Sequence, residues 1–451
     1  MFEPFGIINK RPHILDCRIM SNLQSLFSEA IHLHQQGLLE EAIAKYQAIL
    51  QSLPVNVNVL GNLGLACRDL GDLSAALRYC RRAADAAPDD SSQQLNLGAV
   101  YESMGQPDDA RNCYQKALTL TPGNPKALNN LGKLLHMQGN TEQGLKLIRE
   151  SVAIEPNSPL ALNNLGVILS SLGQIKTAIK YTERSLSLAP RHPETLYNLA
   201  GLYNCEERYP EAAQLLEQLL ELQSDHESAR HMLAAARGKV TNAAPKQYIV
   251  ETFDKYAHKF DHHLTESLGY DAPETLATMT REFLATNEHS SFTRGIDLGC
   301  GTGLSGAAFS PLTASLTGVD LSPLMLEQAR EKNLYQQLEC QEVIEFLQGD
   351  RNCYDLFIAT DVLIYIGNLE PFFAAIQARS ENCSIIACSI ERLEGDGEYK
   401  LCTSGRYAHS RDYLNTQAEK FGFTCVAHRD HTIRKENGKW IVGDLFLLQI
   451  K

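Results

Sequence analysis

One glycine recurs as Gly37, Gly71, Gly105, Gly139 and Gly173, and one proline as Pro54, Pro88, Pro122, Pro156 and Pro190, every step being 34 residues. A fixed period of this length predicts a stack of like helical units from about Leu23 to about Ser224, each too small to bury its apolar face alone. The two marks set the shape of the unit. Gly ends a first helix where the chain turns tightly, and Pro closes a second helix because it cannot continue one. Between the marks, Gly64, Gly98, Gly132 and Gly166 let helix backbones approach, while Ala42, Ala76, Ala110 and Ala178 take the facing position. Five units follow this pattern. A sixth, from about His192, keeps Ala200, Tyr203 and Ala212 but loses the Gly and Pro marks, and Ser228–Ala236 reads as a terminal capping helix.

With Leu97-Gly98-x-x-Tyr101 and Tyr114-x-x-Ala117, the units resemble the tetratricopeptide (TPR) repeat. The resemblance implies an all-α superhelix whose inner wall is made by the first helix of each unit. Two residues before each small position stand Asn62, Asn96, Asn130, Asn164 and Asn198. A ladder of side-chain amides can donate to and accept from a peptide backbone, so these five are expected to hold an extended protein or peptide segment in the groove. The competing reading is that Asn simply suits the packing between neighbouring units. A clamp for a C-terminal carboxylate needs basic residues on the same wall, and Asp69, Ser103, Met137 and Ser171 stand where a Lys would serve, which disfavours that role.

The period breaks at Gly238–Gln247, a run of Gly, Asn, Ala and Pro that reads as a linker. This divides the chain into a tail (1–22), the repeats with their cap (23–237), the linker (238–247) and a second domain (248–451). Within the last, Ile296–Leu298, Leu316–Asp320, Leu338–Gln341, Leu356–Thr360, Ser384–Ile390, Thr424–Ala427 and Leu445–Ile450 read as seven strands, most of them followed by a helix. Such alternation predicts an α/β fold with a mostly parallel seven-stranded sheet covered on both faces. The run Arg434–Gly438 reads as the hairpin turn before the last strand.

Composition removes several function classes. The formal charge is -13, and residues 247–451 carry 18 Lys and Arg against 29 Asp and Glu, so the second domain repels polyanions and nucleic acid is not an expected ligand. Twelve Cys are scattered without a CxxC pair or a Cys/His cluster at zinc spacing, which predicts reduced thiols, a cytoplasmic setting and no metal. No run approaches the roughly 20 apolar residues of a membrane helix, so no membrane partner is expected.

The chemistry concentrates in Gly295-Ile296-Asp297-Leu298-Gly299-Cys300-Gly301-Thr302-Gly303. Three glycines at alternate positions after a strand let the chain turn sharply and let a ligand touch the backbone at the carboxyl end of the sheet. Asp320 closes the second strand, where a carboxylate can accept both hydroxyls of a ribose. Gly301-x-Gly303-x-x-Gly306 also satisfies the dinucleotide fingerprint, which alone is a weak signal. The carboxylate of Asp297 favours a cationic amino-acid head over a pyrophosphate there, and hence S-adenosylmethionine over a nicotinamide dinucleotide.

This run, with Gly318-Val319-Asp320-Leu321-Ser322-Pro323-x-Met325-Leu326 after it, resembles the class I S-adenosylmethionine-dependent methyltransferases. Phe253-Asp254-x-Tyr256-Ala257-x-x-Phe260-Asp261, Asp361-Val362-Leu363-x-Tyr365-x-Gly367 and Arg406-Tyr407-Ala408-His409-Ser410 are similar to predicted methyltransferases that carry TPR repeats. The resemblance implies that Asp297, Gly299, Cys300, Gly301 and Gly303 surround the methionine part of the cofactor and that Asp320, with Leu321 and Met325 beside it, binds the ribose. It further implies that Glu342 and Val343 make the adenine turn, that Tyr256 closes over the cofactor, and that Asp361 and Tyr365 line the mouth where donor and acceptor meet. No Asn/Asp-Pro-Pro-Tyr is present, so the apparatus for methylating planar amides or base amines is missing.

Methyl transfer from a sulfonium needs alignment and desolvation, with a base only for a protic acceptor. His409 and Tyr407 follow the fifth strand on a segment expected to cap the pocket, and with Asp361 they are the candidate catalytic groups, with Arg406 as an anion anchor for the acceptor. The expected function is methyl transfer to a protein side chain or terminus, or to a small acid, phenol or carrier-bound acyl group. The alternative is a TPR adaptor whose methyltransferase fold binds the cofactor without turnover.

Overall fold

The computed structural model describes residues 17–254, 260–262, 264, 268–287, 291–436 and 439–450. The chain forms two compact units that divide between Leu188 and Ala189.

Among the described residues the first unit is ten helices in five hairpins: α1 (Cys17–Gln35), α2 (Leu39–Ser52), α3 (Val57–Leu70), α4 (Leu73–Ala86), α5 (Ser91–Ser103), α6 (Pro107–Leu120), α7 (Pro125–Met137), α8 (Thr141–Ile154), α9 (Pro159–Ser171) and α10 (Ile175–Leu188). The recurring glycines end the first helices in the left-handed region, with φ between 67° and 91°, where a Cβ is strained. The small positions are needed for space. A Cβ on Gly64, Gly98, Gly132 or Gly166 would meet Cys80, Tyr114, Ile148 or Thr182 at 2.1–2.6 Å, the same contact in successive hairpins. Ala42, Ala76, Ala110 and Ala178 are fully buried opposite. Asn56, Asp90 and Asn124, also 34 residues apart, cap α3, α5 and α7 by accepting from backbone N–H groups.

The second unit begins with a sixth hairpin, α11 (Pro193–Cys205) and α12 (Tyr209–Leu222), followed by the short helix α13 (Glu227–Ala236). Glu207 stands where the turn glycine of the earlier hairpins would be, and it keeps the left-handed backbone with φ 58°. The residues after α13 are more than a spacer. Ala243 forms an antiparallel bridge with Ile366, the Ala244 N–H donates to the Tyr365 carbonyl (2.9 Å), and the Gly367 and Asn368 N–H groups donate to the Asn242 carbonyl (2.8 Å each). Helix α14 (Lys246–Asp254) follows at once.

The sheet has nine strands among the described residues: β1 (Gly295–Leu298), β2 (Leu316–Asp320), β3 (Gln337–Cys340), β4 (Tyr354–Ala359), β5 (Ser380–Arg392), β6 (Tyr399–Leu401), β7 (Tyr407–His409), β8 (Phe423–Glu436) and β9 (Lys439–Ile450). The main order is β3-β2-β1-β4-β5-β9-β8, parallel except for β9. All seven expected strands are present, and the expected count is corrected by the short pair β6 and β7. Glu391 of β5 pairs with Gly443 of β9 and with Ala408 of β7, so β7 lies on the β4 edge of β5, beyond the carboxyl end of β4. The expected turn at Arg434–Gly438 is also corrected, because β8 runs through Arg434 and Lys435 to Glu436.

Side chains alternate across the sheet. Phe357, Ala359, Ile386, Cys388, Phe446 and Leu448 pack on one face with Phe346, Phe372, Phe373 and Leu414. Leu356, Ile358, Ile385, Ala387, Leu445 and Leu447 pack on the other with Leu276, Ala277 and Phe309. Both faces are therefore dry, which leaves the carboxyl ends of the parallel strands as the place for a ligand. No helix among the described residues is long and apolar enough to cross a membrane.

Candidate functional site

A cavity of about 370 Å³ opens at the carboxyl ends of β1, β2 and β4. Its floor is the turn after β1. Gly299, Gly301 and Gly303 have φ of 70°, 52° and 92°, and the Gly299 and Cys300 N–H groups both donate to the Val319 carbonyl (2.8 and 3.0 Å), which ties the turn to β2. A Cβ on Gly299 would lie 2.5 Å from Cγ2 of Val362, whereas one on Gly301 would meet nothing within 4 Å. Gly299, Cys300 and Gly301 line the cavity; Gly303 starts the next helix behind it, under the ring of Tyr335.

Two carboxylates flank this turn. Asp297 is fully buried; its Oδ2 accepts from the Tyr335 hydroxyl at 2.7 Å and its Oδ1 has no partner. Burial pushes this carboxyl up to about 7, opposed by the Tyr335 hydroxyl and, more weakly, by the nearby Gly306 N–H, and reinforced by the charge of Asp320. Asp320 lines the cavity and accepts from the N–H groups of Gly301 and Ser322, 2.8 Å each. Burial raises its pKa as well, and these N–H donors oppose the rise. Asp254 of α14 accepts from the Ser322 hydroxyl at 2.5 Å, which fastens that helix beside the same loop. Leu321, Glu342, Val343 and Ile344 continue the lining, and Glu342 caps its helix by accepting from the Glu345 N–H at 2.9 Å.

The far wall carries Phe253, Phe260, Leu264, Tyr270, Asp361 and Tyr365. Asp361 has φ 58°, a costly backbone for a residue with a side chain, and its N–H donates to the Ser389 hydroxyl at 2.8 Å. Nη1 of the buried Arg434 bonds both Asp361 carboxylate oxygens at 2.6 Å. Nη2 of Arg434 bonds Glu391, which also accepts from Nε of Arg406 at 3.0 Å. Burial pushes the Asp361 carboxyl up, and Arg434 and Arg406 oppose it while Glu391 adds to it.

Of the residues singled out in the sequence, the structure thus brings Gly299, Cys300, Gly301, Asp320, Leu321, Glu342, Val343, Asp361 and Tyr365 to one cavity, with Asp297 directly behind. His409, Tyr407, Arg406 and Met325 do not line it. His409 is fully buried, with Nε2 against the carbonyls of Ile366 (2.8 Å) and Gly367 (3.3 Å), its ring stacked on Tyr413, and its pKa lowered by burial to about 4. Tyr407 is fully buried and shares a hydrogen bond of 2.5 Å with the Thr241 hydroxyl. Arg406 is turned to Glu391, and Met325 is packed beneath its helix. Tyr256 lies outside the described residues.

Sequence reasoning passed over Tyr335 and Glu391, assigned Arg434 to a turn, and missed that Ala243, Ala244 and Lys246 line the same cavity. Glycines at 306 and 318 were a signal for Tyr335, because a Cβ at either would meet its side chain at 2.2 or 2.9 Å.

The asparagine ladder in the first unit is partly committed within the protein. Asn62 donates to the Asn58 carbonyl (2.8 Å), Asn129 donates to Asn130 (3.2 Å), and Asn164 donates to Asn129 (2.9 Å). Asn96 lies against Gly61, and Asn198 occupies the equivalent position on α11 of the second unit. Asn130 also lines a groove with Arg68, Glu102, Ser103, Tyr114 and Lys133, in which Lys133 pairs with Glu102 at 2.5 Å.

Residues 296–380 match the model of a family described as a methyltransferase domain, and residues 56–123, 90–157 and 157–225 match that of the tetratricopeptide repeat. Methyltransferase-like protein 27 of Homo sapiens is 38% identical over 87 residues, which are 19% of this chain and 34% of that protein. The likeness therefore spans about a third of the relative's length. Among solved structures, Pseudomonas aeruginosa pilF is 24% identical, with a TM-score of 0.35 over 40% of this chain and 81% of its own. YrrB, described as a TPR protein with an unusual peptide-binding site, is 20% identical, with a TM-score of 0.30 over 41% of this chain and 96% of its own. The chain combines tetratricopeptide repeats with a methyltransferase domain.

Proposed function

We propose that the protein is an S-adenosylmethionine-dependent methyltransferase whose helical repeats hold a protein partner. The observation that carries the donor assignment is the unpartnered Oδ1 of the buried Asp297 behind an open glycine turn. An isolated buried acceptor is costly, and the α-ammonium of an amino-acid head satisfies it. A pyrophosphate at the glycine turn would instead face the carboxylates of Asp297 and Asp320, which no Lys or Arg among the described residues pairs there.

Asp320 keeps lone pairs for ribose hydroxyls beyond the N–H groups of Gly301 and Ser322 that it already binds. Leu321, Val343 and Ile344 supply an apolar slot for a flat base, with Glu342 at its edge. The bound donor supplies a methyl group on a sulfonium, already activated for in-line displacement. The work left to the chain is alignment and exclusion of water, which Phe253, Phe260, Leu264, Tyr270 and Tyr365 perform on the acceptor side. Of the three groups named for proton removal, only Asp361 lines the cavity, so a protic acceptor would meet that carboxylate.

Calorimetric titration of the full chain with S-adenosylmethionine and with NAD tests the donor assignment. Binding of the methyl donor and not NAD is expected, and the reverse would overturn it. Incubation of a cell extract with methyl-labelled donor then sorts the acceptor. Label in protein supports a partner held by the repeats, label only in small molecules removes that version, and donor binding without any transfer leaves an adaptor with an idle site.

A further inference from the structure

Four charged side chains are drawn together at the wall of the cavity: Asp361, Arg434, Glu391 and Arg406, joined in that order by hydrogen bonds. Two carboxylates balance two guanidiniums, and Arg434 and Glu391 are both about 5% exposed. Only Asp361 of the four lines the cavity. Placing charges in a dry interior is costly unless each is paired, so the arrangement demands a defined geometry at its outer end as well as its inner one.

That outer end is the turn between β6 and β7. The Cys402 N–H donates to the Arg406 carbonyl (2.8 Å) and the Gly405 N–H to the Cys402 carbonyl (2.9 Å). Helices that precede the sheet in the chain grip this turn from outside. Nε2 of His231 on α13 hydrogen-bonds the Gly405 carbonyl at 2.9 Å, the Tyr248 hydroxyl of α14 donates to the Ser404 carbonyl at 3.3 Å, and the Thr403 hydroxyl donates to the Tyr209 hydroxyl of α12 at 3.3 Å. The fit is close, since a Cβ on Gly405 would lie 2.3 Å from the Tyr248 hydroxyl and 2.9 Å from Sδ of Met232. His231 is itself buried, and its ring lies against Tyr248 and Tyr407.

We propose that α13, the cap of the repeats, is a positioning element of the donor cavity: His231 fixes the Cys402–Arg406 turn, and Arg406, through Glu391 and Arg434, fixes the carboxylate of Asp361 at the cavity wall. Arg406, Glu391, Arg434 and His231 are positioning residues in this scheme, because none of them lines the cavity. The proposal rests on the reading of the cavity as the methyl-donor site.

The test is a double-mutant cycle on the full chain, read by calorimetric affinity for S-adenosylhomocysteine, with thermal unfolding as the check on folding. Arg406→Met is expected to bind about tenfold more weakly, the equivalent of one pKa unit of lost charge pairing, and Arg406→Lys to recover most of that loss. His231→Ala is expected to weaken binding in the same direction, and His231→Ala with Arg406→Met to be no weaker than Arg406→Met alone, as residues acting through one chain of contacts require. Wild-type affinity in Arg406→Met, or losses that simply multiply in the double variant, would overturn the proposal. If Arg406→Met does not fold, Arg406→Gln takes its place in the cycle with the same criteria. A wild-type chain that binds neither S-adenosylhomocysteine nor S-adenosylmethionine would instead refute the donor reading, so the two failures are distinct.

Discussion

The Tyr335 hydroxyl donates to Oδ2 of Asp297 at 2.7 Å, while Oδ1 of that same buried carboxylate has no donor. One half of the group is built into the fold and the other half is the one proposed to meet the donor's ammonium. This asymmetry gives the site a pH dependence whose sign can be stated.

Burial places the Asp297 carboxyl at about 7 in the free protein, and an ammonium head favours its ionised form. Affinity for S-adenosylhomocysteine is therefore expected to fall by about tenfold per unit as pH drops below 7, and to level off above it. A folded-state pKa above the usual carboxylate value contributes stability at low pH that is lost as pH rises through about 7. Asp297→Asn should thus unfold at a higher temperature than wild type at pH 8, by on the order of 2 °C or more, while losing donor affinity. Titrations at pH 5.5 and 8 that give equal affinities would contradict this.

Asp320 tests the sugar side of the cavity. It binds two N–H groups of the glycine turn and the loop after β2, so Asp320→Ala removes both the proposed ribose contact and the support of Gly301. Hydrogen bonds to a charged group contribute about 1.5–3 kcal/mol, and calorimetry should show donor affinity reduced at least tenfold. Unchanged affinity would place the ribose elsewhere.

Glu207 holds a left-handed backbone that five earlier turns assign to glycine. Glu207→Gly should relieve about 1 kcal/mol of strain and move the urea midpoint of unfolding upward. A downward shift would mean that the lost side-chain contacts outweigh the strain.

The amide ladder has a test of its own. Asn129 already bonds Asn130 and Asn164, so the ladder is first a device for joining hairpins. Replacing Asn130 and Asn164 together by Ala should weaken capture of the partner methylated in the extract assay by about tenfold, as loss of two net hydrogen bonds implies, with donor affinity unchanged. Unaltered capture would assign the ladder to packing alone.

The readable parts of this chain are those with local causes. A glycine that must turn left-handed, or that must let Ile148 or Thr182 pass at the distance of a backbone, leaves a mark that does not depend on the rest of the fold. Strands β1, β4, β5 and β9 were equally legible because apolar residues are required on both of their faces. Strands of three residues such as Tyr399–Leu401 and Tyr407–His409 carry no periodicity, and they were missed. Arg434 was misread because it stands at the head of a polar run that looks like a turn, whereas β8 continues through Lys435 to Glu436 and buries the guanidinium against Asp361, 73 positions earlier in the chain. His409 looked suitable for proton transfer in a segment expected to cap the pocket, but β7 turns its ring toward two carbonyls and Tyr413. Roles made by long-range meetings have no local mark.

The backbone bridge between Ala243 and Ile366 has a practical consequence for anyone recombining such proteins. A chimera spliced between Gly238 and Gln247 would leave the pocket without the wall that Ala243, Ala244 and Lys246 supply, and new repeats grafted there would inherit the defect. The natural seam for exchange lies between Leu188 and Ala189, so that the final hairpin travels with the β6–β7 turn that its Tyr209 meets.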